Sequence, residues 1–178
     1  MSQPCHCRFG AHHDMADRLG AAPDHDHRQV EHARGLDIRV EPGVTAMLAA
    51  AAEAGAPLGG DFCAISLSDN LKAWTTVQRR LKAAAEADFV IALYNPASRA
   101  RPHQLGQAFE LLRTVKAAGT AVLFVRAAGT AEAEVITTTL GAADPSRADM
   151  RTLVIIGAST TRQVGRWVYT PRSERGAP

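Results

Sequence analysis

The sequence predicts an α/β fold in which a mostly parallel, mixed sheet is flanked by helices. From residue 37 onward, short continuous apolar runs alternate with longer segments that place apolar side chains on one helical stripe. Continuous apolar runs are typical of strands buried on both faces, and the intervening helices cover such strands. The chain has 178 residues, 46% of them hydrophobic, which is enough for one domain with a core of its own.

The first predicted elements are a short strand, a helix and a buried strand. We expect the short strand over "DIRV" (37–40) and a turn at the Pro-Gly pair of 42–43. The Ala-rich segment "VTAMLAAAAEAG" (44–55) predicts a helix that ends at Gly55, because glycine commonly closes helices. The apolar run "DFCAISL" (61–67) then predicts the buried strand.

Two amphipathic helices follow, with a strand between them. Ser68 or Asp69 is expected to cap the first helix, because both side chains accept hydrogen bonds from helical N–H groups. Its apolar stripe comprises Leu71, Trp74, Val77, Leu81 and Ala84. The strand "FVIALY" (89–94) comes next. Pro102 suits the first position of the second helix, which ends at Gly119. The apolar stripe of this helix comprises Leu105, Phe109, Leu112 and Val115.

The remaining apolar runs predict further strands. "TAVLFV" (120–125), "EVITTTL" (134–140) and "TLVIIG" (152–157) are rich in β-branched and aliphatic residues. The step from the first of these to the second resembles a hairpin, so we expect one part of the sheet to be antiparallel. The tail "WVYTPR" (167–172) is expected to form an edge strand.

Composition and motifs argue against several functions. The net charge is +2 with acidic and basic residues mixed, so we expect neither a nucleic acid nor a membrane as a partner. The longest apolar stretch is far too short to span a bilayer. The sequence contains neither a glycine motif for nucleotide phosphates nor a nucleophile-elbow motif. Cys63 lies in an apolar run, which predicts a buried free thiol in a reducing compartment and a cytoplasmic location.

The N-terminal segment differs in character from the rest of the chain. Residues 1–34 contain six of the seven histidines and two of the three cysteines but no apolar periodicity. Because these cysteines lack a second spaced pair, the segment predicts a disordered leader rather than a metal site. The predicted organisation is therefore a leader over 1–34, a domain over 35–172 and a short tail over 173–178.

Small and polar residues follow several of the predicted strands, where α/β sheets usually bind ligands. They occupy positions 66–70, 94–95, 126–128 and 157–160. On local chemistry alone, the Tyr-Asn-Pro sequence at 94–96 is typical of an ordinary turn. The residues by themselves leave both a turn and a ligand site open at this strand end.

From residue 36 to residue 172 the sequence resembles the C-terminal part of the tetrapyrrole methylase family of cobalamin biosynthesis. The resemblance rests on "LDIRVEPGVTAMLAAAAEAGAPLGGDFCAISLSDNLKAW", "ADFVIALYNPASRARP", "TLVIIGAST" and the closing "WVYTPR". "SLSDNL" together with "ALYNP" is similar in particular to the members that methylate C17 of precorrin-3B. The resemblance implies a two-domain methyltransferase that uses S-adenosylmethionine, acts on precorrin-3B or its cobalt analogue with ring contraction, and forms a homodimer.

The resemblance also implies roles for individual residues but names no catalytic residue and no metal ligand. The residues that it implies in cofactor binding are Thr45, Ala46, Tyr94, Asn95, Ala127, Ala128, Gly157, Ala158 and Thr160. Among them, Tyr94 and Asn95 would lie against the methionine and ribose, and Ala127 and Ala128 would border the adenine. Gly157, Ala158 and Thr160 would close the cofactor site on the same side as the adenine.

The sequence departs from the family pattern in ways that keep other functions open. The Gly-rich loops of the family's N-terminal domain are not found, and Gly60 and Ala73 stand where His and Pro are expected. A chain that covers half of the cofactor cleft should associate with the missing N-terminal domain. The alternatives are a non-catalytic α/β assembly domain that no longer binds S-adenosylmethionine and, less favoured, a metal-handling leader on that scaffold.

Overall fold

The computed structural model describes residues 42–98 and 101–173. It divides into two units, Met1–Thr45 and Ala46–Pro178. The described part of the first unit, residues 42–45, has no regular secondary structure. The strand predicted over 37–40 and the leader predicted over 1–34 lie outside the described residues.

The second unit alternates helices and strands along the chain. Its described elements are α1 Ala46–Ala54, β1 Gly55–Ala56, β2 Phe62–Ser66, α2 Trp74–Glu86, β3 Val90–Tyr94, α3 Gln104–Arg113, β4 Ala121–Arg126, β5 Glu134–Thr139, a 3-10 turn Pro145–Arg147, β6 Thr152–Ile156, β7 Arg162–Val164 and β8 Trp167–Tyr169. Among the described helices, none is both long and apolar enough to cross a lipid bilayer.

The larger sheet has five strands in the order β2-β3-β6-β4-β5. Only β2 and β3 pair in parallel, whereas β6 runs antiparallel to β3 and β4, and β5 runs antiparallel to β4. The α/β class, a mixed sheet flanked by helices, is confirmed, and so is the hairpin of β4 and β5. The expectation of a mostly parallel sheet is wrong, because no crossover helix separates β4, β5 and β6, and parallel pairing requires such a connection.

Helices cover the two faces of this sheet and create two cores. On one face, Ile91 and Leu93 of β3 are fully buried in a cluster with residues of α2 and α3, including Leu81 and Phe109. On the other face, alternate residues of the same strand pack in a cluster that contains Ala50 of α1. Burial of each large aliphatic side chain contributes roughly 1.5–3 kcal/mol, so both layers hold the sheet in place.

A smaller sheet has the order β1-β8-β7. β8 pairs in parallel with β1 and antiparallel with β7, across a turn in which Gly165 has a φ of +59°. The expectation that the tail forms an edge strand is therefore wrong, since β8 is the central strand of this sheet. Its Val168 is fully buried in the core that α1 covers.

The predicted end of α1 is correct, whereas its start and the boundaries of α2 and α3 are displaced. α1 ends at Ala54, and a side chain at Gly55 would place Cβ only 2.6 Å from the backbone oxygen of Val168. The predicted apolar stripes are buried from Val77 to Ala84 in α2 and from Leu105 to Leu112 in α3. α3 ends at Arg113 and not at Gly119, so the last predicted position, Val115, lies beyond the helix and is only partly buried. α3, however, begins at Gln104, so Pro102 precedes the helix instead of occupying its first turn.

The N-terminal cap predicted for α2 is wrong. The helix begins at Trp74, and its cap residue Ala73 provides no side-chain hydrogen bond. Ser68 and Asp69 lie in the preceding loop, where the backbone N–H of Leu67 still bonds the carbonyl of Tyr94 at 2.9 Å. Because the chain continues along the end of the sheet, it turns into the helix several residues later than the sequence predicts.

Cys63 is a free thiol on the edge strand β2 and is only partly buried. The expectation of a fully buried thiol is wrong, because no other strand of the described residues pairs with the outer side of β2. Burial raises the pKa of the thiol, and the positive charge of Lys116 offsets part of that increase.

Candidate functional site

The carboxyl ends of β2, β3 and β4 lie at one end of the larger sheet, which we call the site edge. β2 is parallel to β3, and β3 and β4 are both antiparallel to β6. These three strands therefore point the same way, and the loops that follow them, beginning at residues 67, 95 and 127, share this edge. Loops at the carboxyl ends of strands are common ligand-binding positions in α/β folds.

Tyr94 connects the site edge to the start of α1. Its phenol oxygen accepts a hydrogen bond of 2.9 Å from the backbone N–H of Met47, in the first turn of the helix. The first N–H groups of a helix have no partner within the helix, so this phenol satisfies one of them. Ala46, the first residue of α1, is thereby held next to the end of β3.

Asn95 has a left-handed backbone conformation, with a φ of +51°, which asparagine tolerates better than most residues. Its side-chain amide donates a hydrogen bond of 3.0 Å to Oγ of Ser66 at the end of β2. The same oxygen accepts a bond of 3.2 Å from the backbone N–H of Ser68. The amide oxygen of Asn95 receives no hydrogen bond from the described residues, so it is available to a ligand that donates one.

The loop after β4 brings small residues to the same edge. Ala127 has a φ of +51° and Gly129 a φ of +78°. Thr130 stabilises this turn by donating hydrogen bonds from its N–H and its hydroxyl to the carbonyl of Ala127, at 3.2 and 2.8 Å. Ala128 packs against the same core as Met47 and Tyr94. The start of α1, the end of β3 and the loop after β4 are therefore neighbours, and they carry Ala46, Tyr94, Asn95, Ala127 and Ala128.

The expectation that Gly157, Ala158 and Thr160 close the same side of the sheet is wrong. β6 is antiparallel to its neighbours, so its carboxyl end lies at the opposite edge of the sheet. The N–H of Gly157 donates to the carbonyl of Ala121 at the start of β4, and the N–H of Ala158 donates to Oγ1 of Thr161. Thr45 belongs to the first unit, and its role stays a prediction.

The opposite edge holds a charged cluster that the sequence analysis missed. Nζ of Lys116, whose side chain is 4% exposed, lies 2.8 Å from the carboxylate of Asp88. The same carboxylate accepts hydrogen bonds from the N–H and hydroxyl of Ser159. Burial opposes ionisation of Asp88, but the bonds from Lys116 and Ser159 outweigh it and lower its pKa. In the sequence, Asp88 is an aspartate between a predicted helix and a predicted strand. Aspartate is common in such turns, so its position did not indicate an ion pair.

The site edge is suited to positioning a ligand rather than to acid–base chemistry. The side chains of the 127–129 loop and of Ala46 at the start of α1 are short, and the amide of Asn95 is polar, which is the kind of lining that holds a ligand by shape and a few polar contacts. Within the described ranges, no three His, Cys, Asp or Glu residues are grouped so that they could hold a metal ion. The part that these residues play in binding a cofactor stays a prediction.

Residues 25–144 match the family model of the Tetrapyrrole (Corrin/Porphyrin) Methylases. The chain belongs to this family. The resemblance noted in the sequence is confirmed. The match begins inside the predicted leader, and the boundaries predicted for the leader, domain and tail stay a prediction.

Individual tetrapyrrole methylases are similar to this chain at high identity. A precorrin-3B C(17)-methyltransferase from Sinorhizobium sp. is 59% identical over 149 residues, which are 81% of this chain and 59% of the relative. A probable cobalt-factor III C(17)-methyltransferase from Salmonella typhimurium (strain LT2) is 48% identical over 137 residues, 77% of this chain and 57% of the relative.

A solved structure is also similar. The crystal structure of the methyltransferase CobJ aligns with a TM-score of 0.78 and 52% identity, over 83% of this chain and 62% of that chain. This chain thus spans less than two thirds of the length of the tetrapyrrole methylases that it matches here.

Proposed function

We propose that this chain forms part of a methyltransferase of cobalamin biosynthesis that transfers a methyl group from S-adenosylmethionine to C17 of precorrin-3B, or of its cobalt analogue, with ring contraction. The identity of 59% to the Sinorhizobium precorrin-3B C(17)-methyltransferase supports the reaction. The relative from Salmonella is named for cobalt-factor III, so the cobalt-containing substrate is an equal candidate.

The methyl donor would bind at the site edge, against Ala46, Tyr94, Asn95, Ala127 and Ala128. The single observation that supports this site best is the convergence of the α1 start, the end of β3 and the loop after β4 at one edge. S-adenosylmethionine supplies an electrophilic methyl group on a sulfonium. The described residues of the chain hold and orient this group against a carbon nucleophile, and alignment of this kind can supply several kcal/mol of the rate enhancement.

A calorimetric titration with S-adenosylhomocysteine tests the proposed site. We expect saturable binding to the chain and weaker binding to Tyr94→Ala, which removes the contact between β3 and α1. Tyr169→Ala is the matched control, because Tyr169 is 40% exposed on the smaller sheet and should leave affinity unchanged. Absence of binding at millimolar ligand, or an equal loss in both variants, would contradict the proposed site.

We propose a homodimer, or association with a polypeptide that supplies the N-terminal part of the enzyme, as the active form. Exposed apolar side chains support association of this unit, and they include Leu48 at 47%, Phe62 at 41%, Val164 at 62% and Trp167 at 44%. Mixing this chain with the N-terminal part of a similar methyltransferase should give methylation of precorrin-3B. If the mixture stays inactive although this chain binds S-adenosylhomocysteine, association with a separate N-terminal polypeptide is not the active form.

The second candidate is a non-catalytic α/β assembly domain, and the same exposed apolar residues favour it. The two candidates differ in ligand binding, since the assembly domain binds no S-adenosylhomocysteine although it self-associates in sedimentation experiments. We place either form in the cytoplasm, which the free thiol of Cys63 supports.

A further inference from the structure

Two positively charged side chains lie in the loops that follow β2 and β3 at the site edge. Lys72 is in the loop after β2, and Arg101 is in the loop after β3. Neither forms an ion pair with a carboxylate of residues 42–98 or 101–173. Other cations of the same ranges do, in the pairs Lys82–Glu86, Lys116–Asp88, Arg126–Asp149 and Arg151–Glu132. Within the described residues, therefore, no ion pair neutralises either side chain, although the carboxylate of Asp69 lies in the same loop as Lys72.

Arg101 is held in place without its charge being neutralised. Its Nη1 donates a hydrogen bond to the side-chain oxygen of Asn70, a neutral group in the loop after β2. Its backbone N–H bonds the carbonyl of Ser98 at 3.0 Å. Its Nε is buried and finds no hydrogen-bond partner among the described residues. A guanidinium in this state is suited to a carboxylate, whose two oxygens match its planar set of donors.

The two loops are fixed to the proposed methyl-donor site. The amide of Asn95 bonds Ser66, the N–H of Leu67 bonds the carbonyl of Tyr94, and Arg101 bonds Asn70. These hydrogen bonds tie the loop after β2 to the loop after β3 directly beside Tyr94. A substrate that receives a methyl group next to Tyr94 must reach the same edge of the sheet.

Lys72 adds positive potential at this edge. It is partly buried, and the nearby guanidinium of Arg80 carries the same charge. Burial first, and then Arg80, lower the pKa of Lys72, as expected for a cation without a compensating carboxylate. A second carboxylate of the same ligand would relieve this repulsion.

We infer that Arg101 and Lys72 bind carboxylate side chains of the tetrapyrrole substrate and so orient its ring against the methyl donor. The inference rests on the proposed function, which makes a tetrapyrrole with acetate and propionate side chains the substrate class. Arg101 forms the directed contact, with Asn70 fixing its orientation. Lys72 forms the looser, more salt-sensitive contact.

Fluorescence titration of the full chain with uroporphyrin I, a tetrapyrrole with eight carboxylates, tests this inference. We expect saturable binding that weakens with ionic strength. Arg101→Gln should raise the Kd about tenfold, and Lys72→Gln should raise it about threefold. Lys82→Gln, which removes the same charge from an exposed helical ion pair, is the matched control and should leave the Kd within about twofold.

A purely structural role for Arg101 predicts a different pattern. Asn70→Ala breaks the same tie between the loops but keeps the charge, so a structural role predicts equal effects of Asn70→Ala and Arg101→Gln on Kd. We expect instead that Asn70→Ala keeps most of the affinity, even if both variants melt at the same lower temperature. Equal Kd values for Arg101→Gln and Asn70→Ala, or for Arg101→Gln and Lys82→Gln, would overturn the inference.

The methyl-donor titration separates this inference from the proposed function. Arg101→Gln should bind S-adenosylhomocysteine as the unmodified chain does, because Arg101 is assigned to the other ligand. A chain that binds S-adenosylhomocysteine but not uroporphyrin I overturns the carboxylate contacts alone. A chain that binds neither ligand overturns both the contacts and the proposed function.

Discussion

The phenol oxygen of Tyr94 accepts a hydrogen bond of 2.9 Å from the backbone N–H of Met47, 47 positions earlier in the chain. One strand end and one helix start are thereby joined at the site edge. The bond gives Tyr94 a structural role in addition to its proposed contact with the methyl donor. Stability and ligand affinity should therefore both depend on it.

Tyr94→Phe should lower the free energy of unfolding by about 1 kcal/mol, because it leaves the Met47 N–H without its partner. Urea unfolding followed by circular dichroism measures this change. Tyr169→Phe is the matched control, since Tyr169 is 40% exposed on β8 and should change stability by less than about 0.5 kcal/mol. Equal stabilities of the two variants would show that the Tyr94 bond contributes nothing.

The charged cluster at the opposite edge should be important for stability and not for ligand binding. Asp88→Asn should cost about 1–2 kcal/mol, because it leaves the ammonium of Lys116, 4% exposed, without its carboxylate, while the 44% exposure of Asp88 screens part of the interaction. Asparagine tolerates the left-handed conformation of position 88, where φ is +56°, so the backbone should not contribute to the loss.

Glu86→Gln is the control for Asp88→Asn. It removes one carboxylate from an i,i+4 pair whose side chains are 56% and 57% exposed, and should cost no more than about 0.5 kcal/mol. The double variant Asp88→Asn/Lys116→Met should recover part of the loss, because no uncompensated charge then remains buried. A double variant less stable than Asp88→Asn alone would contradict this account.

The local elements of the fold could be predicted from the sequence because they depend on local periodicity. Strand β3 and the buried stripe of α3 follow directly from apolar spacing. The strand directions could not be predicted in the same way. The insertion of β6 between β3 and β4 depends on tertiary pairing. The apolar residues of β6 do not indicate whether the strand runs parallel or antiparallel to its neighbours.

The candidate site could be predicted only in part for the same reason. Tyr94 ends one strand and Ala127 follows another that points the same way, so both lie at the site edge, while their part in cofactor binding stays a prediction. Gly157 also follows a strand, but an antiparallel one, and it therefore lies at the other edge. The bond between Asn70 and Arg101 joins two loops whose proximity only the folded sheet creates.

Gly157→Ala should destabilise the fold and leave methyl-donor binding unchanged. A Cβ at this position would lie 2.8 Å from Oγ1 of Thr161, which already bonds Ala158 and Thr170 at 2.8 Å each. Relief of this clash requires Thr161 to move, so we expect a loss of roughly 1–3 kcal/mol in urea unfolding. Gly119→Ala is the control, because a Cβ there meets nothing within 4 Å.

The binding measurement for Gly157→Ala distinguishes the two edges of the sheet. Because Gly157 lies opposite the site edge, S-adenosylhomocysteine should bind the folded variant with the affinity of the unmodified chain. A fall of tenfold or more in affinity, at a temperature where the variant is fully folded, would show that Gly157 contributes to cofactor binding.

The stability of the protein should depend on Asp149 in mildly acidic solution and lose that dependence as the pH falls. Hydrogen bonds from Arg126 first and Thr152 second lower the pKa of Asp149 from 3.8 to about 2. A carboxyl with a lowered pKa in the folded state stabilises the fold above the pKa of the unfolded chain, and this contribution disappears as the pH falls through the folded value. The relevant window is therefore between about pH 4 and pH 2. Since the side chain of Asp149 is 47% exposed, solvent screening limits the contribution to about 1 kcal/mol or less.

Asp149→Asn tests this window through melting temperatures measured at pH 5 and at pH 2.5. The variant should melt below the unmodified chain at pH 5. The difference should shrink at pH 2.5, where this carboxyl is already protonated in the unfolded chain and begins to be protonated in the folded one. Glu132→Gln is the control, because Glu132 is 67% exposed in its pair with Arg151 and should give a small difference at both pH values. A difference for Asp149→Asn that stays constant across the window would mean that the Asn side chain changes packing and that the charge of Asp149 contributes nothing.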